Sequence, residues 1–173
     1  MGACPVCSLW KPSEFIERWR VEDEAEPLLR FTSEALVGVK LPVESRTFLL
    51  EAGLPCAAAP FLTFEVPGEG SLPTVTEAWQ LPDEFGCFRV IGFNGSGDPV
   101  CLDESASGAV VHLDHDNGFE RVLMNSSVPQ LAASLLIFRA YVQRGASAES
   151  EIWFAEELRR VDEAAWGHSS ILA

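Results

Sequence analysis

The densest set of groups able to do chemistry is His112, Asp114, His115 and Asp116 in the run HLDHDNG, which offers imidazoles and carboxylates of the kind that ligate zinc or iron. In an extended strand His112 and Asp114 share a face and His115 points away, so a one-sided site needs donors from elsewhere, and the one further histidine is His168. A polar hairpin edge is the better reading. The same letters open like an EF-hand, but glycine arrives at the fifth position (Gly118) rather than the sixth. Asn125 stands at the twelfth, where a glutamate is required, and the calcium cage fails.

Other patterns fail in similar ways. Cys4 and Cys7 form a lone C-x-x-C with neither a second pair for zinc nor a thioredoxin-like unit around it. The glycines of GFNGSGDP precede the strand-like PVCLDE rather than a helix, so the loop reads as a hairpin turn and not a phosphate cradle. GHSSI lacks the second glycine of a nucleophile elbow. Cys101 and His112 would form a thiolate–imidazole pair if they sat opposite each other on paired strands joined by a loop at Ser105 to Gly108. A one-residue slip destroys that pairing, and a buried cysteine acting as a small apolar residue is the simpler expectation. No catalytic residue, metal site or cofactor is assigned.

The elements that must position these residues lie between Phe88 and Val142. The runs FRVIGF, PVCLDE, AVVHLDH and ERVLMN are rich in β-branched and aromatic residues, and the gaps between them hold Gly, Asn, Asp and Ser. Connections of about three to five residues are too short for parallel crossovers, so an antiparallel meander paired in sequence order is expected. A long helix follows, capped by Ser127 with Pro129 in its first turn. Its apolar stripe runs through Val128, Leu131, Leu135, Phe138 and Val142, widened by Ala132 and Leu136.

Upstream, residues 1–12 lack periodicity and a first helix is expected near Ser13, carrying Phe15, Ile16 and Trp19. An acidic run, Glu22, Asp23, Glu24 and Glu26, is closed by Pro27. A second helix begins at Pro42, carries Val43, Phe48, Leu49 and Ala52, and stops at Gly53 before Pro55. FLTFEV (61–66) reads as a strand, TVTEAWQL as a possible strand and LPDEFG as a loop, so one or two further strands are expected within 70–87. Downstream, Arg144 and Gly145 end the long helix. A last helix starts near Ser147 with Ile152, Ala155, Leu158, Val161 and Ala165 on its apolar side, and the tail 167–173 is expected to fray.

At 173 residues the chain reads as one α+β domain spanning 1–173: a largely antiparallel meandering sheet of about five to six strands, flanked by N- and C-terminal helices. Five cysteines, an odd number, argue against a secreted disulfide framework, and the start MGACPVCSLW is unlike a signal peptide. A cytoplasmic protein with no membrane association is expected. A net charge of −14 disfavours direct nucleic-acid or anionic-membrane binding and favours a basic protein partner. Arg outnumbers Lys ten to two, which hints at a GC-rich genome.

The order LPVESRTFLLEAGLP, a strand, FRVIGF, VCLDE, a Gly before VVHLD and finally LMNSSVPQLAASLL resembles the SUKH superfamily, and within it the fourth branch, the SUKH-4-like immunity proteins common in actinobacteria. The resemblance covers about Leu41 to Val142. It implies an α+β fold with a meandering mixed sheet and a non-enzymatic protein that binds and neutralises a cognate toxin, often a nuclease or deaminase. It carries over no catalytic residue. Asp103, Gly108, Asn125 and Ser127 fall on positions typical of the pattern and take structural roles: the first two at a hairpin, Asn125 at a strand end, Ser127 as the cap.

Partner contact is expected from the acids of the meander, Asp98, Asp103, Glu104, Asp114, Asp116 and Glu120, if their turns and strand ends converge on one negative patch. Charge reversal at Asp103, Asp114 or Asp116 is then expected to slow association. The partner implied is a basic, nucleic-acid-targeting toxin met by a monomer or weak homodimer. The alternative is a general intracellular interaction scaffold without a toxin.

Overall fold

The structure, a computed structural model, describes residues 11–20 and 26–166. Cys4, Cys7, the acids Glu22 to Glu24 and the tail with His168 lie outside the described residues. In chain order the elements are α1 (Pro12–Trp19), β1 (Leu28–Leu29), α2 (Val43–Glu51), β2 (Leu54–Pro55), β3 (Ala57–Ala58), β4 (Leu62–Phe64), α3 (Val75–Trp79), β5 (Phe88–Phe93), β6 (Pro99–Asp103), β7 (Ala109–Asp114), β8 (Glu120–Asn125), α4 (Val128–Arg144), α5 (Ala148–Val161) and α6 (Glu163–Trp166). Strands β3 to β8 form one sheet in sequence order, antiparallel at every pairing, while β1 and β2 form a separate two-stranded ladder. The mixed sheet implied by the family resemblance is thus replaced by a purely antiparallel one.

The meander forms because each of its three turns carries its own hydrogen-bonding side chain. Asn94 Oδ1 accepts from the Ser96 amide at 3.0 Å, Asp103 Oδ1 from the Ser105 amide at 2.9 Å, and Asp114 Oδ1 from the Asp116 amide at 3.0 Å. A side chain that bonds the backbone two residues on replaces a ladder bond and reverses the chain. Gly108, expected at a hairpin, closes the second turn with φ +74.

The two faces of the sheet are covered differently. Ile91, Val100, Leu102, Val110 and Met124 face the main core, against Phe15 and Trp19 of α1, Phe48 and Leu49 of α2, and Leu131 and Leu135 of α4. Alternation sends Val90, Cys101, Val111 and Leu113 to the other face, where Val75 and Trp79 of α3, Phe85 and Phe119 cover them. Strand β6 is buried along its whole length, as expected for the middle of a sheet covered on both sides.

The long helix starts where the sequence places it, with the Ser127 hydroxyl accepting from the Gln130 amide. Gly53 follows α2 at φ +74, and a Cβ there would meet the Leu29 carbonyl oxygen at 2.0 Å, so the stop signal is also the close approach that lets β1 pair with β2. Asn125, at the end of β8, donates to Ser134 Oγ at 3.0 Å. Beside it Asp162 accepts from the Ser126 amide at 2.6 Å and the Ser126 hydroxyl at 2.8 Å, and this buried carboxylate fastens the C-terminal helices to the β8–α4 junction. Arg139 of α4 donates to the Trp19 and Arg18 carbonyl oxygens at 2.8 and 2.7 Å, closing the C-terminus of α1.

Several expectations are corrected. Residues 75–79 are a helix, not a strand, because Thr74 accepts from the Glu77 amide while Glu77 accepts from the Thr74 amide at 2.7 Å; this reciprocal cap outweighs the β-branched residues. No strand occurs within 70–87; LPDEFG holds a 3-10 turn at Asp83–Phe85, and the sheet instead gains β3. The strand read as 61–66 is limited to Leu62–Phe64. Val43, Val142 and Ile152 face solvent; for Ile152 the reason is that Phe154 and Leu158 of α5 turn toward Phe138 of α4 and leave it outside.

Candidate functional site

The register decides the first chemical candidate. Cys101 pairs with Val111, and His112 pairs with Val100, so the thiol and the imidazole occupy opposite faces of adjacent strands. The one-residue offset removes the thiolate–imidazole pair. Cys101 is fully enclosed, and burial first, then the nearby Asp103 carboxylate, pushes its thiol far above the ordinary range, so it stays protonated and apolar in character. His112 is lowered by burial, against the pull of Asp98 and Asp114. Among the described residues, no group of three or more His, Cys, Asp or Glu side chains is placed to hold a metal ion.

The six acids fall into two groups. The turns 94–98 and 115–119 share one end of the meander, so Asp98, Asp114, Asp116 and Glu120 gather there, while Asp103 and Glu104 sit at the opposite end. They also differ in how free their charge is. Asp98 is buried and accepts from the His115 amide at 3.0 Å, the His115 ring at 2.5 Å and the Asn94 side-chain amide at 2.8 Å, which ties the first hairpin to the third. Burial pushes its carboxyl up, but these hydrogen bonds outweigh burial and hold it below the usual carboxylate range. The Asp98 hydrogen bond, working against desolvation, raises the exposed His115, which Asp116 also faces at 3.4 Å.

Asp103 is 1% exposed; it accepts from the Ser105 hydroxyl at 2.6 Å and pairs with Arg121 Nε at 2.7 Å across β7. Burial again works against it, and the Ser105 and Arg121 contacts lower it on balance. Glu104 accepts from the Lys40 amide at 2.7 Å and pairs with Arg89 at 3.3 Å, joining the loop before α2 to the sheet. Asp114 is spent on its own turn, accepting from Asn117 as well as Asp116. Asp116 and Glu120 project into solvent.

The opposite face of the sheet carries a feature that motif reading missed. A cleft of about 450 Å³ lies between α3 and the chain leaving β4, walled by Val66, Pro67 and Trp79 and floored by Val90, Gly92 and Phe93. The Trp79 and Phe93 rings meet at 5.7 Å, and Ala78 lies exposed on the rim. Backbone donors beside it are occupied: the Glu65 amide bonds the Ile91 carbonyl at 2.9 Å and the Val90 amide bonds the Pro73 carbonyl at 2.9 Å.

A signal for this region was present in the charge order. Between residues 47 and 120 there are twelve acids and one base, Arg89, so this segment holds −11 of the chain's −14. The rest of the chain is nearly balanced. Arg89 is itself tied to Glu104 and the Leu72 carbonyl, so the one base of this segment is already paired.

Helices packed against an antiparallel meander thus hold these side chains in place. The SUKH-4 immunity protein family model matches residues 14–170, which is most of the chain. The chain belongs to the SUKH-4 immunity protein family. No curated protein and no solved structure shows a significant match to it. The SUKH-4 match extends beyond the Leu41 to Val142 core of the sequence resemblance, taking in most of α1 upstream and α5 and α6 downstream. Among the described residues no helix is long and apolar enough to cross a membrane.

Proposed function

We propose that this SUKH-4 protein is a non-enzymatic immunity protein that binds a cognate bacterial toxin and blocks its active surface, and that the toxin is basic and acts on nucleic acid. The family match over residues 14–170 carries the reading, because it assigns the chain to immunity proteins. Charge supports the choice of partner. A protein at −14, with its acids concentrated in one segment, repels nucleic acid and attracts the cationic surface on which a nuclease or deaminase holds phosphates. The enclosed, protonated Cys101 supports a role without covalent chemistry.

The toxin-facing charge of the meander comes from Asp116 and Glu120. Asp98, Asp103, Glu104 and Asp114 shape the turns and contribute to the field from within. The protein acts in the cytoplasm, without cofactor or metal, as a monomer or weak homodimer, since mutual repulsion at this charge opposes strong self-association.

Co-expression with the toxin domain encoded in the adjacent reading frame tests the proposal. Survival of cells that the toxin domain alone kills, with recovery of a stable complex, is the expected result. Equal killing with and without the protein, and several housekeeping partners in place of one basic partner, would favour a general scaffold instead.

A further inference from the structure

We infer that the cleft beside α3 is the anchor site for the partner, and that it takes an aromatic or aliphatic side chain from a basic segment of the toxin. The inference rests on the toxin-binding reading above and adds where the partner docks and with what chemistry. Three observations lead to it. The cleft's walls and floor, Val66, Pro67, Trp79, Val90 and Phe93, are apolar, and its volume of about 450 Å³ exceeds what one large side chain fills. A half-buried Trp next to exposed Ala78 matches the pattern of interface anchor points, where a few aromatic contacts dominate binding.

The second observation concerns what the cleft lacks. A small-molecule site needs a few convergent polar groups to orient its ligand. Among the described residues Glu65 is the one charged residue lining the cleft, and the adjacent Glu65 and Val90 amides are already bonded to the Ile91 and Pro73 carbonyls. Those same bonds close the edge of β5 at this point, so an added strand finds no free ladder there. A side chain inserted from outside needs neither.

Third, the surroundings fix the sign of the partner. Glu65 lines the cleft, the exposed Glu69 and Glu77 lie within two residues of its Pro67 and Ala78 along the chain, Asp83 and Glu84 follow α3, and no Lys or Arg occurs between Arg46 and Arg89. Glu77 keeps its charge, since hydrogen bonds from the Thr74 amide and hydroxyl hold it below the usual carboxylate range. An apolar side chain flanked by Lys or Arg is therefore complementary, and the same side chain flanked by acids is repelled. The hairpin tips with Asp116 and Glu120 then act on encounter, and the cleft acts on residence.

The test uses the full chain and the purified, catalytically inactivated toxin domain from the adjacent reading frame. Ala78→Arg places a bulky cation on the exposed rim without touching the core, and Trp79→Ala removes the wall. Circular dichroism checks that both remain folded. If the cleft is the anchor, Ala78→Arg weakens binding by about 100-fold and Trp79→Ala by at least about 10-fold, mainly through faster dissociation. Asp116→Lys changes the association rate and leaves dissociation nearly unchanged.

Hydrogen exchange on the wild-type complex, which does not depend on any variant, is expected to show new protection at 65–66 and 76–80. Wild-type binding that survives Ala78→Arg within threefold, or a complex with no protection at those segments, overturns the cleft and leaves the immunity reading standing. Failure of the wild-type chain to bind overturns both.

Discussion

Asp103 and Asp116 carry the same formal charge, yet the structure assigns them very different consequences when that charge is removed. Asp103 is 1% exposed and holds Ser105 Oγ at 2.6 Å, the Ser105 amide at 2.9 Å and Arg121 Nε at 2.7 Å. Charge-assisted hydrogen bonds are worth roughly 1.5–3 kcal/mol each, and breaking a buried ion pair from one side costs about 3–5 kcal/mol. These figures overlap and do not add. The Arg121 side chain is 38% exposed and turns to solvent when released, which places Asp103→Ala near the low end, about 3 kcal/mol.

At roughly 2–4 °C per kcal/mol for a chain of this size, the melting temperature falls by about 6–12 °C. Asp116→Ala, on a turn tip, should stay within about 0.5 kcal/mol of wild type. Urea titrations of the two variants and of Arg121→Ala, with the double variant to close the cycle, measure this directly. Equal midpoints for Asp103→Ala and wild type would refute the claim that this carboxylate is consumed by the fold, and would return it to the set available for a partner.

The two described histidines should titrate in opposite directions. His115 is raised by Asp98, so its contribution to stability is complete below the ordinary imidazole value of about 6.5 and is lost as pH rises through its higher folded value. His112 is lowered by burial, so its contribution is present above about 6.5 and is lost as pH falls through its lower folded value. Histidine NMR titrations check both, and Asp98→Asn should bring His115 back toward the ordinary value. Ser127→Ala removes the cap of α4 and should cost about 1 kcal/mol in a denaturant titration.

Most of the meander was legible because its information is local. Asn94, Asp103 and Asp114 sit at the strand ends and each bends its own turn, and Ser127 with Pro129 announces α4 within three residues. The same logic explains the miss at 74–79. Thr74-x-x-Glu77 is a capping-box signature, but Thr74, Val75 and Thr76 in a row favour a strand, and the reciprocal hydrogen bonds decide the matter.

Nonlocal facts were out of reach. Whether a carboxylate is free depends on partners such as His115 for Asp98 or Arg121 for Asp103, which sit 17 and 18 residues away along the chain. The orientation of α5 was ambiguous for a similar reason, since Ile152, Phe154 and Leu158 offer two apolar stripes and contact with Phe138 selects one. The Cys101 and His112 pairing turned on a register that composition does not fix. The cleft was half legible: Trp79 and Phe93 gave no motif, while the near absence of bases from 47 to 120 was there to be counted.

Calorimetric titration of the full chain with the inactivated toxin domain from the adjacent reading frame is expected to give a saturable one-to-one complex. Raising the salt should weaken it, mostly through slower association. No detectable heat with that domain at micromolar concentrations, together with no protection of cells on co-expression, would show that this chain does not neutralise that toxin.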